Sequence, residues 1–307
     1  MNKKIVFILG VGRSGTSLLQ SMLNSHSEIA FPPETHFFRY YVAPNRKRKQ
    51  IIKNEPEKFF SVLEQDKSFS RININPQELL SDTNSDFKPE KIYQKLLEIY
   101  LNKKGKTIIG DKDPKNIEFV QQLYKYFPQA TIIHLIRDPR DVVLSRTKAA
   151  WSAHRPLWLH AMIYNSQILT GRKNGIRLFK KNYLEIKYEE LISNPKDPLK
   201  RIVKNIGLEY EESMLNFSKS GSELMDESEK QWKIETTGPL LRSNVKKWKK
   251  ELSNQQIGLI QTICRKPMMI YGYSPDNSIK LNFIQRLFFN SIKTAFHIVY
   301  LLKLKLT

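Results

Sequence analysis

The chain predicts an α/β fold in which helices cover both faces of a central parallel sheet of about five strands. Three observations point there. Apolar or β-branched runs at 4–9, 28–31, 107–110, 131–136 and 183–187 lack strict alternation, as strands buried on both faces do. Helical periodicity fills the intervals, over 16–25, 36–50, 89–102, 114–127, 139–149, 155–173 and 189–206, with a further helix at 254–265. The first run, IVFIL, opens directly into the glycine-containing turn GVGRSGTS and leaves it through the apolar-periodic SLLQSML. That is the strand–loop–helix layout of a phosphate cradle.

The start, MNKKIVFILG, imitates a secretory signal in its two lysines and apolar core. The core runs straight into the loop without a small-residue cleavage site, so it is read as the first buried strand. No solenoid-type repeat is present. The chain divides into an α/β domain over 1–275 and a basic amphipathic helix over 281–307. Two polar stretches, 66–90 and 218–243, interrupt the pattern and are candidate lid or acceptor loops.

Composition limits the partners. With 51 Lys+Arg against 30 Asp+Glu, the formal charge is +21, a field that favours anions: nucleotides, sulfated or phosphorylated ligands, nucleic acid or an acidic membrane surface. Cys264 is the single cysteine, which excludes an intrachain disulfide and a cysteine-based metal site. A reducing compartment fits, and a cytoplasmic location is expected, with peripheral contact at the inner membrane surface left open. The histidines other than His36 show no metal-ligand spacing.

Two later junctions share the chemistry of the first. TIIG is followed by Asp111-Lys112-Asp113-Pro114, and TIIHLI by Arg137-Asp138-Pro139-Arg140-Asp141. In each, an Asp can cap a helix and Pro can start it. In each, a cation stands just before the cap, at the carboxyl end of a parallel strand, where open α/β sheets bind ligands. Arg13, Lys112 and Arg137 are therefore expected to face one crevice. In the loop, Gly15 gives room for close approach, and Ser14, Thr16 and Ser17 add hydroxyl donors to the helix N-terminus. The Gly-Lys-Ser/Thr ending of a nucleoside-triphosphate loop is missing. No strand ends in the solitary Asp that would support a magnesium site, because TIIGDKDP carries a lysine there. A metal-free reaction is expected.

These residues resemble the sulfotransferases that use 3′-phosphoadenosine 5′-phosphosulfate, a P-loop-type three-layer α/β/α family. The segment GVGRSGTSLLQSMLNSHSEIAFPPETHFF is similar to their 5′-phosphosulfate loop, most of all to that of the protein-tyrosine sulfotransferases. IIHLIRDPRDVVLS resembles the 3′-phosphate motif, DKDP a Lys-Asp-Pro of the same enzymes, and IKYEELISNP a Tyr-Glu-x-Leu segment. The four motifs fall in order, and the resemblance covers about residues 5–250.

The resemblance implies transfer of a sulfuryl group from that donor to a hydroxyl acceptor: a glycan, a lipid, a small alcohol or phenol, or tyrosine. It implies that Arg13 and Lys112 stabilise charge on the departing phosphate and that Arg137 and Ser145 hold the 3′-phosphate. Glu34, in PPET, matches the family's carboxylate base; its alternative reading is an acid favoured in a first helical turn. His36 is the rival base. Tyr188 either contacts adenine or packs. Lys247, before Trp248, matches a Lys-Trp pair, and Ser243 a donor-binding serine, though the spacing to Trp248 is short. An arginine expected twelve residues after Arg137 is replaced by Ala149. A nucleotide-binding kinase, or a basic nucleic-acid-binding protein, is the alternative reading; no helix-turn-helix or single-strand platform motif supports nucleic acid.

In the tail, apolar positions 284, 288, 292, 295, 299 and 302 recur at helical spacing, opposite Arg286, Asn290, Lys293 and His297. From 281 onward there are four Lys/Arg and no acid. The segment is too interrupted for a membrane span and suits an interfacial helix. The competing reading is docking on this chain or a second copy, so a homodimer stays open. The run Arg46-Lys47-Arg48-Lys49 is read as a solvated loop.

Overall fold

Five parallel strands, β1 (Ile5–Gly10), β2 (Ile29–Ala30), β3 (Ile108–Lys112), β4 (Thr131–Ile136) and β5 (Tyr183–Lys187), form one sheet in the order β2-β3-β1-β4-β5. The computed structural model describes residues 4–43, 55–79, 87–226 and 236–306. The predicted sheet is present in full, and its five strand spans fall on the expected runs. β1 shows why alternation was lacking: Ile5, Phe7 and Leu9 enter one apolar core while Val6 and Ile8 enter the other. The first core takes the Pro89–Lys104, Val120–Tyr126 and Leu157–Phe179 helices; the second takes Thr16–Asn24, Tyr188–Ser193 and Lys196–Ile206. The result is the expected three-layer arrangement.

Order β3-β1-β4 reverses the direction of winding beside β1, which makes the carboxyl end of β1 the crevice for a ligand. The β1–β4 ladder continues to Gly10, paired with Leu135. A Cβ at Gly10 would lie 2.6 Å from the Leu135 carbonyl oxygen, so glycine is what lets the chain leave the sheet so close to β4. Both Asp-Pro junctions form as the sequence implied. The Asp113 side chain accepts from the Lys115 amide and that of Asp138 from the Arg140 amide, with Pro114 and Pro139 opening the turns that follow.

Helix boundaries differ for identifiable reasons. The 114–127 helix begins as a 3₁₀ turn, Pro114–Glu118, before Val120–Tyr126. The 189–206 helix is divided at Asn194-Pro195 into Tyr188–Ser193 and Lys196–Ile206, because proline cannot extend the first piece. The 155–173 helix runs Leu157–Phe179. Within 36–50 the described part is one π-helical turn, Phe38–Val42, reached through a left-handed His36 at φ 56°. The remainder, with the basic run 46–49, lies outside the described residues. The stretch 66–90 holds Lys67–Ser70 and a 3₁₀ turn, Pro76–Leu79; 218–243 holds Ser218–Leu224, and Arg71 Nη2 donates to the Leu224 carbonyl at 2.6 Å, tying the two stretches together.

The C-terminal helix, Phe283–Leu306, lies on the body of the protein against Leu157–Phe179 and Asn254–Ile263. The packed side is Phe289, Ile292, Phe296 and Tyr300, and His297 Nδ1 is 3.1 Å from Ser166 Oγ. Most of the apolar stripe seen in the sequence faces outward instead: Ile284 is 77%, Phe288 57%, Val299 64% and Leu302 53% exposed. Among the described residues no helix is long and apolar enough to cross a membrane.

One buried histidine supports a pH prediction. His134, in β4, is fully buried, and desolvation, reinforced by Arg172, pushes its pKa down to about 3. A depressed folded pKa means that the unfolded chain takes up a proton near pH 6.5 that the native chain refuses. Stability from this residue is therefore present above pH 6.5 and lost as pH falls from there toward 3. His134→Gln removes this contribution. Its stability deficit against the unsubstituted protein, measured by urea unfolding, is expected to shrink by roughly 2–3 kcal/mol between pH 7 and pH 4.5.

Candidate active site

At the carboxyl ends of β1, β3 and β4 lies a cavity of about 740 Å³. Arg13, Lys112 and Arg137 all line it, as the three strand ends implied. Its lining carries eight cations, the others being Arg39, Lys115, Arg146, Arg155 and Lys303, against three carboxylates, Glu34, Asp113 and Glu118. That surplus suits an anionic ligand.

The loop end is built on backbone geometry. Gly15 has φ 93°, a left-handed conformation that glycine adopts at no steric cost, and it precedes the Thr16–Asn24 helix. A Cβ there would lie 2.4 Å from the Tyr188 ring, so Tyr188 covers the loop by packing on its glycine. Gly15→Ala is expected to cost about 1–2 kcal/mol through backbone strain alone. It should also displace Tyr188, which thermal unfolding together with nucleotide titration would reveal. Thr16 and Ser17 line the cavity, and the helix offers it the first-turn amides that no intrahelical carbonyl can satisfy. Ser14 is buried, and among the described residues its hydroxyl has no partner.

Arg13, Arg137 and Ser145 meet. Arg13 Nε donates to Ser145 Oγ at 3.0 Å, and Arg137 Nη1 donates to the Arg13 carbonyl at 3.1 Å. Arg137 Nη2 donates to the Asn244 carbonyl at 2.7 Å, and its guanidinium lies 4.3 Å from the centre of the Tyr188 ring. Its Nε is buried and has no partner among the described residues. Two backbone carbonyls thus fix the fork while other N–H groups remain for an anion.

In the same cavity, Lys112 Nζ pairs with Glu34 Oε2. Lys112 is buried and Glu34 is 14% exposed. His36 Nδ1 lies 3.3 Å from Glu34 Oε1 and 3.0 Å from Asp113 Oδ2, and Arg39 Nε lies 3.3 Å from the same Asp113 oxygen. Burial alone would raise the Asp113 carboxyl; the His36 hydrogen bond and the charges of Arg39 and His36 outweigh it and hold the pKa below the usual value. Asp111, one residue before Lys112, goes the other way: burial, then repulsion from Asp113, pushes it up to about 7. Ligand atoms of Glu34, His36 and Asp113 lie within 4.8 Å of one another, a spacing a metal ion could use, but Lys112 and Arg39 already supply positive charge to both carboxylates.

Ser243 and Lys247 are exposed and do not line the cavity. Their segment nevertheless borders it, because Asn244 receives Arg137. Asp141 Oδ2 and Oδ1 accept from the Lys246 and Trp248 amides at 2.8 and 2.9 Å, and the Arg140 guanidinium lies 3.8 Å from the Trp248 ring. Burial raises the Asp141 pKa to about 6 despite Arg137 and these amides. Of the two polar stretches, Thr236 reaches the cavity; the described residues of 66–90 do not.

Arg146 and Trp151 were not singled out from the sequence. The Arg146 guanidinium is buried, donates through Nε to His160 Nδ1 at 3.2 Å and lies 5.1 Å from the Trp151 ring centre. Burial, with repulsion from Arg155, lowers its pKa to about 10. The available signal was a second cation directly after Ser145 on the same helix, and its inward orientation comes from packing.

A glycine turn before a helix N-terminus, two converging arginines and a carboxylate–lysine pair thus share one crevice. The sequence profile of the sulfotransferase family matches residues 6–212, and the chain belongs to that family. It is 25% identical over 224 residues to the protein-tyrosine sulfotransferase of Drosophila melanogaster, covering 69% of this chain and 40% of that protein. It is 23% identical over 192 residues to human carbohydrate sulfotransferase 2, covering 48% of this chain and 35% of that protein. The chain thus spans well under half the length of these curated relatives. Among solved structures, the sulfotransferase domain of the Synechococcus PCC 7002 olefin synthase shares the fold, with a TM-score of 0.58, 23% identity, and coverage of 89% of this chain and 98% of that one.

Proposed function

We propose that this protein moves the sulfuryl group of 3′-phosphoadenosine 5′-phosphosulfate to a hydroxyl acceptor, in line and without a metal. The observation that carries the reading is the meeting of Arg13 and Arg137, with Ser145 bonded to Arg13, in the cavity that the Glu34–Lys112 pair also lines. The donor set fits a nucleotide with two anionic ends. Among the described residues the buried Ser14 hydroxyl and Arg137 Nε have no partner, leaving an O–H donor in the loop and an N–H donor at the neighbouring strand end.

The donor supplies an activated sulfur–oxygen bond. Arg13, the hydroxyls of Ser14, Thr16 and Ser17, and the loop amides hold the 5′ end. Arg137 and Ser145 hold the 3′-phosphate, with Tyr188 stacked behind Arg137 and Ser243 and Lys247 at the rim. The buried Arg146 adds charge on the side where the family's later arginine is replaced by Ala149. Glu34 takes the acceptor's hydroxyl proton as the new sulfur–oxygen bond forms and the bridging one breaks. Lys112, which shares its ammonium with Glu34, stabilises charge left on the phosphate; removing such a group costs on the order of 10²–10³ in rate. His36, held by Asp113, orients Glu34. The C-terminal helix is the contact to an anionic membrane surface, and the location is the cytoplasm, peripheral to the inner face.

Thermal shift tests the donor assignment. 3′-Phosphoadenosine 5′-phosphate is expected to raise the melting temperature, with no loss in chelator, while ATP and RNA give smaller shifts. Preferential, magnesium-dependent stabilisation by ATP would favour a kinase, and stabilisation by RNA a nucleic-acid-binding protein.

A further inference from the structure

The cavity is lined by two unlike sets of residues. The strand ends supply Arg13, Lys112 and Arg137. The Leu157–Phe179 helix and the C-terminal helix supply the apolar Leu159, Ile163, Phe296, Val299 and Tyr300, beside the polar Gln167 and Lys303 of the same helices, and Trp151 joins them. Val299 belongs to both surfaces: it lines the cavity and is 64% exposed. It therefore joins the interior to the outward stripe of Ile284, Leu287, Phe288, Ile298 and Leu302, all more than half exposed. A helix that buries one apolar side and presents another to the outside needs a second covering.

Charge identifies what covers it. Beside the root of the same helix is a second cavity of about 550 Å³, lined by Arg265, Lys280, Arg286 and Lys293, with Asp276 the one carboxylate among its lining residues. Arg286 and Lys293 come from the C-terminal helix itself, and residues 281–307 contain no acid. An apolar stripe flanked by cations matches the chemistry of an anionic lipid surface, acyl region against Leu287 and Phe288, head groups against the cationic pocket. A second copy of this chain would bring the same positive charge to the contact.

We infer that the acceptor is a membrane-resident amphiphile: a hydroxyl-bearing polar head on an aliphatic tail, drawn from an anionic bilayer along the C-terminal helix. The head reaches Glu34 while the tail lies on Phe296 and Val299. This rests on the sulfotransfer reading above and narrows its acceptor. It also gives the C-terminal helix one role on both faces, holding the lipid surface outside and forming the tail channel inside.

Hexyl, octyl and decyl β-D-glucosides, below their micelle concentrations and with 3′-phosphoadenosine 5′-phosphate bound, serve as probes in calorimetric titrations. Affinity is expected to rise with chain length by up to about fourfold per methylene. The Val299→Asp variant, altered at an exposed position, should flatten the series while keeping its response to the bisphosphate nucleotide. In parallel, the full chain should co-sediment with phosphatidylglycerol-containing vesicles and not with pure phosphatidylcholine, and Leu287→Asp should release it. Equal affinity along the glucoside series overturns the inference. So does a supernatant protein in the presence of anionic vesicles, or a dimer that Leu287→Asp dissociates, which would assign the stripe to self-association. Loss of the bisphosphate response alone would instead remove the donor assignment, a separate failure read by a separate probe.

Discussion

Glu34→Gln is expected to leave donor affinity within about threefold of the unsubstituted protein and to lower turnover by on the order of 10²–10⁴, the usual contribution of a general base. The substitution keeps the shape of the side chain and its place beside Lys112, but removes the charge that accepts a proton. The side chain is fixed by contacts on both oxygens, one to Lys112 and the other facing His36 at 3.3 Å. The proposed base role is compatible with that ion pair because an ammonium has three N–H donors. Lys112 can turn toward charge developing on the departing phosphate and weaken its hold on the carboxylate as the proton moves. His36→Gln separates the rival assignment. Its Nδ1 is held at 3.0 Å from Asp113, which suits a positioning residue, so a smaller loss and an unchanged pH profile are expected. If Glu34→Gln still turned over within tenfold while His36→Gln did not, the base would be His36.

The strand ends of this site were legible and the contacts between them were not. Buried β-branched runs and Asp-Pro junctions are local signals, and they placed Lys112 and Arg137 at the correct edge of the sheet. The pairing of Lys112 with Glu34 joins residues 78 apart in sequence, and neither PPET nor DKDP carries a trace of it. Likewise the Arg13–Ser145 bond closes over 132 residues. Arg146 and Arg39 escaped notice because a lone arginine within a helical pattern reads as a solvated face; only packing shows that Arg146 is turned inward against Gly12 and Trp151. The tail shows a different limit. Periodicity identified its apolar stripe, but a stripe alone does not say which side meets the protein. Here Phe289, Phe296 and Tyr300, off that stripe, make the inner contact, while most of the stripe itself faces out.

The second large effect concerns Arg137. Arg137→Ala is expected to weaken binding of 3′-phosphoadenosine 5′-phosphate by about 10²–10³-fold, the range for truncating one partner of a desolvated charge pair. AMP, which lacks the 3′-phosphate, should lose far less, and the ratio of the two losses is the measurement that matters. A purely structural role predicts a different outcome. The guanidinium donates to the Arg13 and Asn244 carbonyls and lies over Tyr188, so its removal could loosen the loop and the 242–248 segment together. That would weaken both nucleotides alike and lower the melting temperature of the unliganded protein. Arg137→Lys sharpens the contrast, since a lysine keeps the charge but cannot span two carbonyls and a phosphate from one planar fork. Partial recovery of bisphosphate affinity with lysine would place charge first. No recovery, with AMP still bound, would place the geometry of the fork first; equal losses for the bisphosphate and AMP would remove the 3′-phosphate assignment.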